Sequence, residues 1–336
     1  MAIENRGYLG DFIKGMSSKF AEVFDQADQS YSLAINDAVA TVGNKRSRLF
    51  REKTTSAARE RTASKSGLGY LQETPEGQGY ANDARVPGYT TTWIPIKFTS
   101  GVTVTEEAIE DRDYESQLDE FSDLVVAGKE SMDKDAFSLF NYGFTLQALV
   151  PGRYSQYGDA KPMFSTSHPL KSSRTSTTTF SNASSTGIPF SEANLEVARL
   201  ALMNQLDDAG KPMNVGLGKL ILLVAPTNEK AAVIATKGEK RSGTANNDIN
   251  IYDGIMTVIS SQYLSTLHGG LNTQWILIDP KVAKLVFMLR RALRRDRSVD
   301  NNTKSVKFDI SARWTVGYGD SRGTWASKGD LAAYSD

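Results

Sequence analysis

One stretch restricts the fold of this chain more than any other. From Asp113 to Phe144, apolar or small residues stand at Tyr114, Leu118, Phe121, Val125, Gly128, Met132, Ala136 and Leu139, with Asp, Glu and Lys between them. Steps of three and four place all eight on one side of an α-helix. No proline occurs between Pro95 and Pro151, so nothing in that window forces a break. Such a helix is roughly 45 Å long at about 1.5 Å per residue, more than an ordinary domain needs. The sequence on either side is mainly strand-like, which predicts a helical spine with β-structure laid along it.

Composition narrows the chemistry. The 336 residues contain 39 Lys plus Arg, 39 Asp plus Glu, two His and no Cys. A net charge of zero gives no long-range field that steers the molecule to nucleic acid or to a membrane. Without cysteine there are no disulfides, thiolate nucleophiles or zinc–thiolate sites, which fits a reducing cytoplasm. No apolar run reaches the ~18 residues of a membrane span, and MAIENRGYLGDF lacks the basic and apolar regions of a signal peptide.

In chain order, Tyr8, Phe12, Met16, Phe20, Val23 and Phe24 have helical spacing. Lys45 to Lys65 then carries eight basic residues, Arg48, Arg51, Arg59 and Arg61 among them, and few aliphatics. A segment of that composition cannot build a core of its own; it reads as an arm on a neighbour or a polyanion, or as a solvated terminus. Glycines and prolines break up residues 67–88. In Tyr89 to Thr105, Ile94, Ile96 and Phe98 alternate with Trp93, Pro95 and Lys97, a period of two. Leu68 to Thr74 is the expected partner strand of a long hairpin. A two-stranded ribbon is not stable alone and its edges invite pairing, so it should lie on something else.

Behind the spine comes a loop, then Lys171 to Gly187 with 11 Ser or Thr in 17 residues. A second domain is expected from residue 188. Ser191 is a candidate N-cap for a helix through Leu206. Lys219 to Pro226 is an aliphatic run suited to a strand buried on both faces. A short helix from Thr227 leads to the polar segment Glu239 to Asp248. Ile249 to Ser261 and Thr273 to Asp279 read as strands. Val282, Leu285, Val286, Leu289 and Leu293 then have the spacing of an amphipathic helix, with Arg290, Arg291, Arg294 and Arg295 on its other side. That cluster fits phosphate binding, or the solvated face and inter-subunit salt bridges of an ordinary helix. Val306, Phe308 and Ile310 mark a last strand. Helices and strands mix without a βαβ rhythm, so the fold class is α+β.

Catalytic motifs are missing: GxGxxG after a strand, GxxxxGK[ST], HExxH and GxSxG do not occur. His168 in SHP and His268 in LHGG read as polar groups of loops, and no catalytic, metal or cofactor residue is assigned.

Several segments together, in order and spacing, resemble the major capsid protein of tailed bacteriophages, nearest to the Mu-type major head subunit. They are GYTTTWIPIKFTSGVTVTEEAIEDRDY, GDAKPMFSTSHPL, LILLVAPTNEKAAVIA, NIYDGIMTVISSQYLS with WILIDP, and KFDISARWTVGYGDSRGTW. The resemblance spans roughly Gly67 to Trp325. It implies the Hong Kong 97-type fold: an N-terminal arm (1–66), a long hairpin or E-loop (67–100), a peripheral domain with the spine (101–187), an axial domain (188–304), and a returning peripheral strand with the C-terminus (305–336). It implies a structural protein without enzymatic activity or cofactor, assembled in the host cytoplasm into a virion. Pentamers and hexamers would form an icosahedral shell around double-stranded DNA held without sequence specificity, with portal and scaffold or decoration proteins as partners and no membrane. Trp93, Ile94, Ile96, Phe98 and the arm arginines Arg48, Arg51, Arg59 and Arg61 would then meet neighbouring copies. Lys237, Glu239, Lys240, Arg241 and Asp248 would lie near the capsomer axis. An encapsulin-like shell with protein cargo shares that fold, and a hydrolase using His168 or His268 is the reading from another class.

Overall fold

The computed structural model describes residues 14–23, 25, 45–65, 68, 70–80, 82, 87–105, 107, 115–171, 179–208, 211–238, 240, 249–300 and 302–334. Five helices carry labels: α1 (14–23), α2 (Lys45–Leu49), α3 (Glu115–Asn141), α4 (Glu192–Met203) and α5 (Pro226–Thr236). The strands run from β1 (Arg51–Thr54), β2 (Glu60–Lys65), β3 (Pro87–Trp93) and β4 (Ile96–Val104) through β5 (Gln156–Tyr157), β6 (His168–Pro169) and β7 (Thr179–Phe180). They continue with β8 (Leu220–Val224), β9 (Met256–Ser260), β10 (Trp275–Ile278), β11 (Leu285–Val299), β12 (Val306–Tyr318) and β13 (Thr324–Ser327).

The spine is α3, 27 residues long. Its first half shows a stripe: Phe121, Leu124 and Val125 are buried, while Asp119, Glu120 and Asp123 are exposed. From Asp135 to Phe140 every residue is buried. The change follows from what surrounds each half. The first half lies on one face of a sheet ordered β1-β11-β12-β4, where Phe121 meets Phe308 with ring centroids 4.8 Å apart. Gly128 belongs there because a Cβ at that position would stand 3.0 Å from the Ile310 side chain. Phe20 of α1 fits over the same cluster, 4.7 Å from Phe121. Tyr8 and Phe12 lie outside the described residues, as does Phe24.

The second half of the spine is also covered by a sheet ordered β13-β10-β8-β9. In β8, Ile221 and Leu223 point into the core that holds Phe137 and Phe140. Leu220, Leu222 and Val224 point the other way, against Leu195, Ala198 and Leu202 of α4. All five residues are buried, as an aliphatic run without polar alternation requires. Ser191 caps α4, its hydroxyl accepting from the Asn194 N–H at 3.2 Å, and the helix stops at Met203, short of Leu206.

Two strand expectations are corrected. Residues 285–299 form β11, a strand paired antiparallel with β12, where the spacing predicts a helix. Leu285, Phe287 and Leu289 face the spine core, and Val286 and Met288 pack with Trp93 on the opposite face. Register shifts between Leu289, Arg291 and Arg294 insert extra residues into β11. They bring Leu293, four residues after Leu289, back to the spine side, which reproduces helical spacing on a bulged strand. The second correction concerns the hairpin. β3 pairs with β2, in register Glu60↔Trp93 to Ala63↔Thr90, and Leu68 to Thr74 forms no strand among its described residues.

Candidate functional site

The ribbon β2–β3 grows from a short basic segment. Its root is fixed by Trp93, 1 % exposed, whose indole N–H donates to the Thr62 hydroxyl at 2.9 Å. Gly88 is required further up, because a Cβ there would fall 2.1 Å from the Ser64 hydroxyl across the ribbon. β5 joins the other edge of β3 through Thr91↔Tyr157 and Thr92↔Gln156. Beyond the strands, residues 70–80 are all exposed; Leu71 and Tyr80 have almost their full surface in solvent. Tyr70 is met by the chain itself, with the Lys211 ammonium 4.3 Å over its ring.

Pro95 splits the apolar stretch that the alternation reads as one face. Trp93 belongs to the ribbon, whereas β4 starts at Ile96 and pairs with β12. Phe98 is half-buried and stacks on Trp314 of its own sheet, ring centroids 3.9 Å apart. Ile94 is half-buried and Ile96 exposed. Arg48, Arg51, Arg59 and Arg61 are all exposed. Arg46, by contrast, bridges Glu52 and Asp133 at 3.1 and 3.0 Å and ties α2 to the spine.

Strand pairing creates a feature that the sequence does not display. On β12 the even residues Phe308, Ile310 and Trp314 face the spine, so Ser311 and Arg313 face away from it. Arg313 stands opposite Lys97 of β4 and opposite Arg291 of β11. Three cations therefore form a row across three adjacent strands on the face opposite the spine. The Nε atoms of Arg291 and Arg313 are buried without a hydrogen-bond partner. Arg51 and Lys53 of β1 line a cleft of about 430 Å³ on the same face, over Trp93, Val286 and Met288.

Lys237, at the C-cap of α5, is exposed, and Lys240 is exposed and bridges Ile249. Glu239, Arg241 and Asp248 lie outside the described residues.

His168 is not a surface group. It is fully buried, its Nδ1 2.7 Å from Asp159 Oδ2 and its Nε2 3.1 Å from Asn182 Oδ1 and 3.3 Å from the Met163 carbonyl oxygen. Its ring stacks on Phe180. Both nitrogens are occupied inside the fold and no substrate can reach them. His268 sits in a 3₁₀ turn, edge-on to Tyr263 at 5.1 Å. Among the described residues no three His, Asp or Glu gather as metal ligands, and no helix is long and apolar enough to cross a membrane.

Beside His168 lies a buried ionic knot. Arg322, 5 % exposed at its side chain, donates to Asp208 at 2.6 Å, to Asp320 at 3.3 Å and to the Leu206 carbonyl at 3.0 Å, and lies over the Phe180 ring. Burial alone would lower the Arg322 pKa, but Asp320 and Asp208 overrule it and hold the guanidinium above its ordinary value. Asp208 is thus a buried ion-pair partner. At the spine, burial pushes the Asp135 carboxyl up, against the opposing pull of Arg153 and of the Trp314 indole N–H at 3.0 Å. These groups hold layers together and face no open site.

The sequence matches the phage capsid protein family over residues 88–327. The chain belongs to that family. This capsid protein is a structural component of a phage virion, and its α+β fold is that of solved phage capsid structures. The structure described as Mycobacterium phage Patience is 12% identical, with a TM-score of 0.54 over 93% of this chain and 88% of the other. The mature capsid of bacteriophage PhiM1 is 13% identical, with a TM-score of 0.51 over 84% and 85% of the two chains. No curated protein sequence matches the capsid protein.

Proposed function

We propose that this capsid protein is the major head subunit of a tailed phage, built on the Hong Kong 97 plan and of the Mu type. Many copies form pentamers and hexamers and close into an icosahedral shell in the host cytoplasm. The shell encloses double-stranded DNA without reading its sequence. A portal takes part in assembly, together with scaffold or decoration proteins. The chain acts by packing, without catalysis.

The observation that carries this reading is the ribbon. Its tip exposes Tyr70, Leu71 and Tyr80, a costly arrangement for a solitary molecule, and it becomes a buried clamp when copies lie side by side. Zero net charge agrees, since a shell confines DNA and needs no surplus of cations. The division proposed from the sequence changes at two strands, β11 and β13. The strand β11 joins the peripheral sheet with β12 and β4, while β8, β9, β10 and β13 with α4 and α5 make the axial unit.

The test is negative-stain electron microscopy of the purified protein. Closed, uniform shells are expected, with nuclease-protected DNA in particles from infected cells. A protein that stays monomeric at millimolar concentration refutes the reading. Shells filled with a cargo protein instead of DNA replace it by the encapsulin-like one.

A further inference from the structure

We infer that His168 is a buried imidazolium whose two N–H groups clamp the loop after β5 to the axial sheet, and that rising pH undoes the clamp. All of its groups belong to one chain, so it acts with or without neighbours.

Donors and acceptors around the ring fix its protonation. Nδ1 stands 2.7 Å from Asp159 Oδ2, on a carboxylate side chain that is 1 % exposed. Nε2 stands 3.1 Å from Asn182 Oδ1 and 3.3 Å from the Met163 carbonyl oxygen. Groups other than the histidine fix the orientation of the Asn182 amide. Its Nδ2 donates to the Met163 and Ser321 carbonyls at 2.9 and 3.0 Å, and its Oδ1 accepts from the Ser165 N–H at 2.8 Å. Nε2 therefore faces two oxygens and no donor. A neutral imidazole has one N–H and one bare lone pair. With its proton on Nδ1, the lone pair of Nε2 points at Asn182 Oδ1. With the proton on Nε2, the lone pair of Nδ1 points at a carboxylate. The imidazolium donates on both sides. Moving the Nδ1 proton to Asp159 would keep the same count on the pair, but the ordinary values of about 6.5 for His and about 3.9 for Asp leave it on the ring.

The surrounding charges agree. Asp159, Asp208 and Asp320 have side chains 1 %, 6 % and 6 % exposed, and among them Arg322 is buried on the last two. Lys284 meets Asp320 from a half-exposed position, and Lys161 of the same loop holds the Ser167 hydroxyl at 3.2 Å. Burial pushes the Tyr89, Tyr157 and Tyr318 hydroxyls up, so the phenols that feel Asp159 from β3, β5 and β12 stay uncharged. A second buried cation thus answers the third buried carboxylate. The Phe180 ring, stacked on His168 with centroids 4.9 Å apart, offers a face that favours a cation.

The clamp joins two sheets. Asp159 lies two residues beyond β5, the edge strand of the ribbon sheet. Asn182 reaches the Ser321 carbonyl ahead of β13, and Ala183 bridges Ala326 within β13. The unfolded chain releases the second histidine proton near about pH 6.5. The fold uses both N–H groups, so above that pH the native state holds more protons than the unfolded state. The stabilisation is complete below about pH 6.5 and falls as pH rises, by about tenfold in the folding constant per unit.

The chain has two histidines, so His268→Asn leaves His168 as the single imidazole. Nitrogen NMR of that variant, unassembled and labelled at histidine, reads the protonation directly. At about pH 7.5, one unit above the ordinary histidine value, both ring nitrogens should carry a coupled proton. A ring nitrogen without one overturns the proposal. Urea unfolding supplies the second arm, with the ionisation removed by adding His168→Gln and Asp159→Asn. From about pH 6.5 to 8.5 the folding constant of the His268→Asn protein, relative to that triple variant, should fall about tenfold per unit. A ratio that stays flat or rises overturns the proposal, and if the triple variant does not fold the NMR result decides alone.

Discussion

Replacing Arg322 by Met should unfold the capsid protein more readily than any surface change. The guanidinium is 5 % exposed and its carboxylate partners Asp208 and Asp320 are 6 % exposed. Asp320 keeps Lys284 at 3.1 Å, whereas Asp208 has no other ion-pair partner among the described residues. The substitution therefore leaves one carboxylate buried and uncompensated, which costs about 3–5 kcal/mol. For a chain of this size each kcal/mol shifts the melting midpoint by about 1.4 °C, giving a fall of roughly 4–7 °C. The assay is thermal unfolding of unassembled protein by circular dichroism at fixed concentration. Adding Asp208→Leu removes the orphaned charge and should recover more than half of the loss, since a buried ion pair replaced as a unit by apolar groups is often neutral. A single variant that melts within about 2 °C of the parent refutes the claim that the knot joins the layers. So does a double variant that melts lower than the single one.

Asp135→Asn should stabilise the protein at neutral pH. Burial raises the folded-state pKa of Asp135 above its unfolded value, so ionisation costs stability as pH rises through the folded pKa; the gain should vanish when both states are protonated, below about pH 3, and a pH-independent difference in urea midpoint would contradict it. Leu222→Ala, at a fully buried site between two layers, should cost about 2–5 kcal/mol in urea unfolding, and less than 1 would mean the strand is not central. His168→Ala should cost about 1–3 kcal/mol by stranding Asp159 and Asn182, while His268→Ala, at a half-buried turn, should change the same measurement by less than about 0.5. Gly323→Ala should fail to give soluble protein, because the residue has φ +77° and an added Cβ would sit 2.6 Å from the Ala283 nitrogen; normal expression would refute that reading of the turn.

The parts legible in the sequence are those whose environment is set by one neighbour on each side. The spine stripe at Phe121 and Val125 and the aliphatic run of β8 each follow from a single periodicity. β11 misleads because its bulges put Leu289 and Leu293 on one face at helical spacing, and only pairing with β12 distinguishes the two cases. His168 misleads for another reason: its burial is supplied by Asp159, Met163, Phe180 and Asn182, and the pattern around SHP carries no trace of them. The partner of the hairpin strand shifted because ERTASK is too polar to look like a strand, yet β2 has that sequence. One face of the ribbon is buried, but Ser64 and Thr91 on it are polar, so it shows little apolar alternation.

The cation row shows how the two kinds of information differ. Arg290, Arg291, Arg294 and Arg295 are adjacent in sequence and read as one cluster. On a strand they part: Arg291 turns toward Arg313 and Lys97, Arg294 pairs with Asp296 at 2.7 Å, and Arg295 reaches Asp25 at 2.8 Å. The charges that act together come from three strands separated by nearly two hundred residues. A folded monomer can neutralise Arg294 and Arg295 from its own side chains, and it leaves Arg291, Arg313 and Lys97 in register. Like charges directly opposite one another on adjacent strands cost about 0.2–1 kcal/mol, which this row adds to the fold.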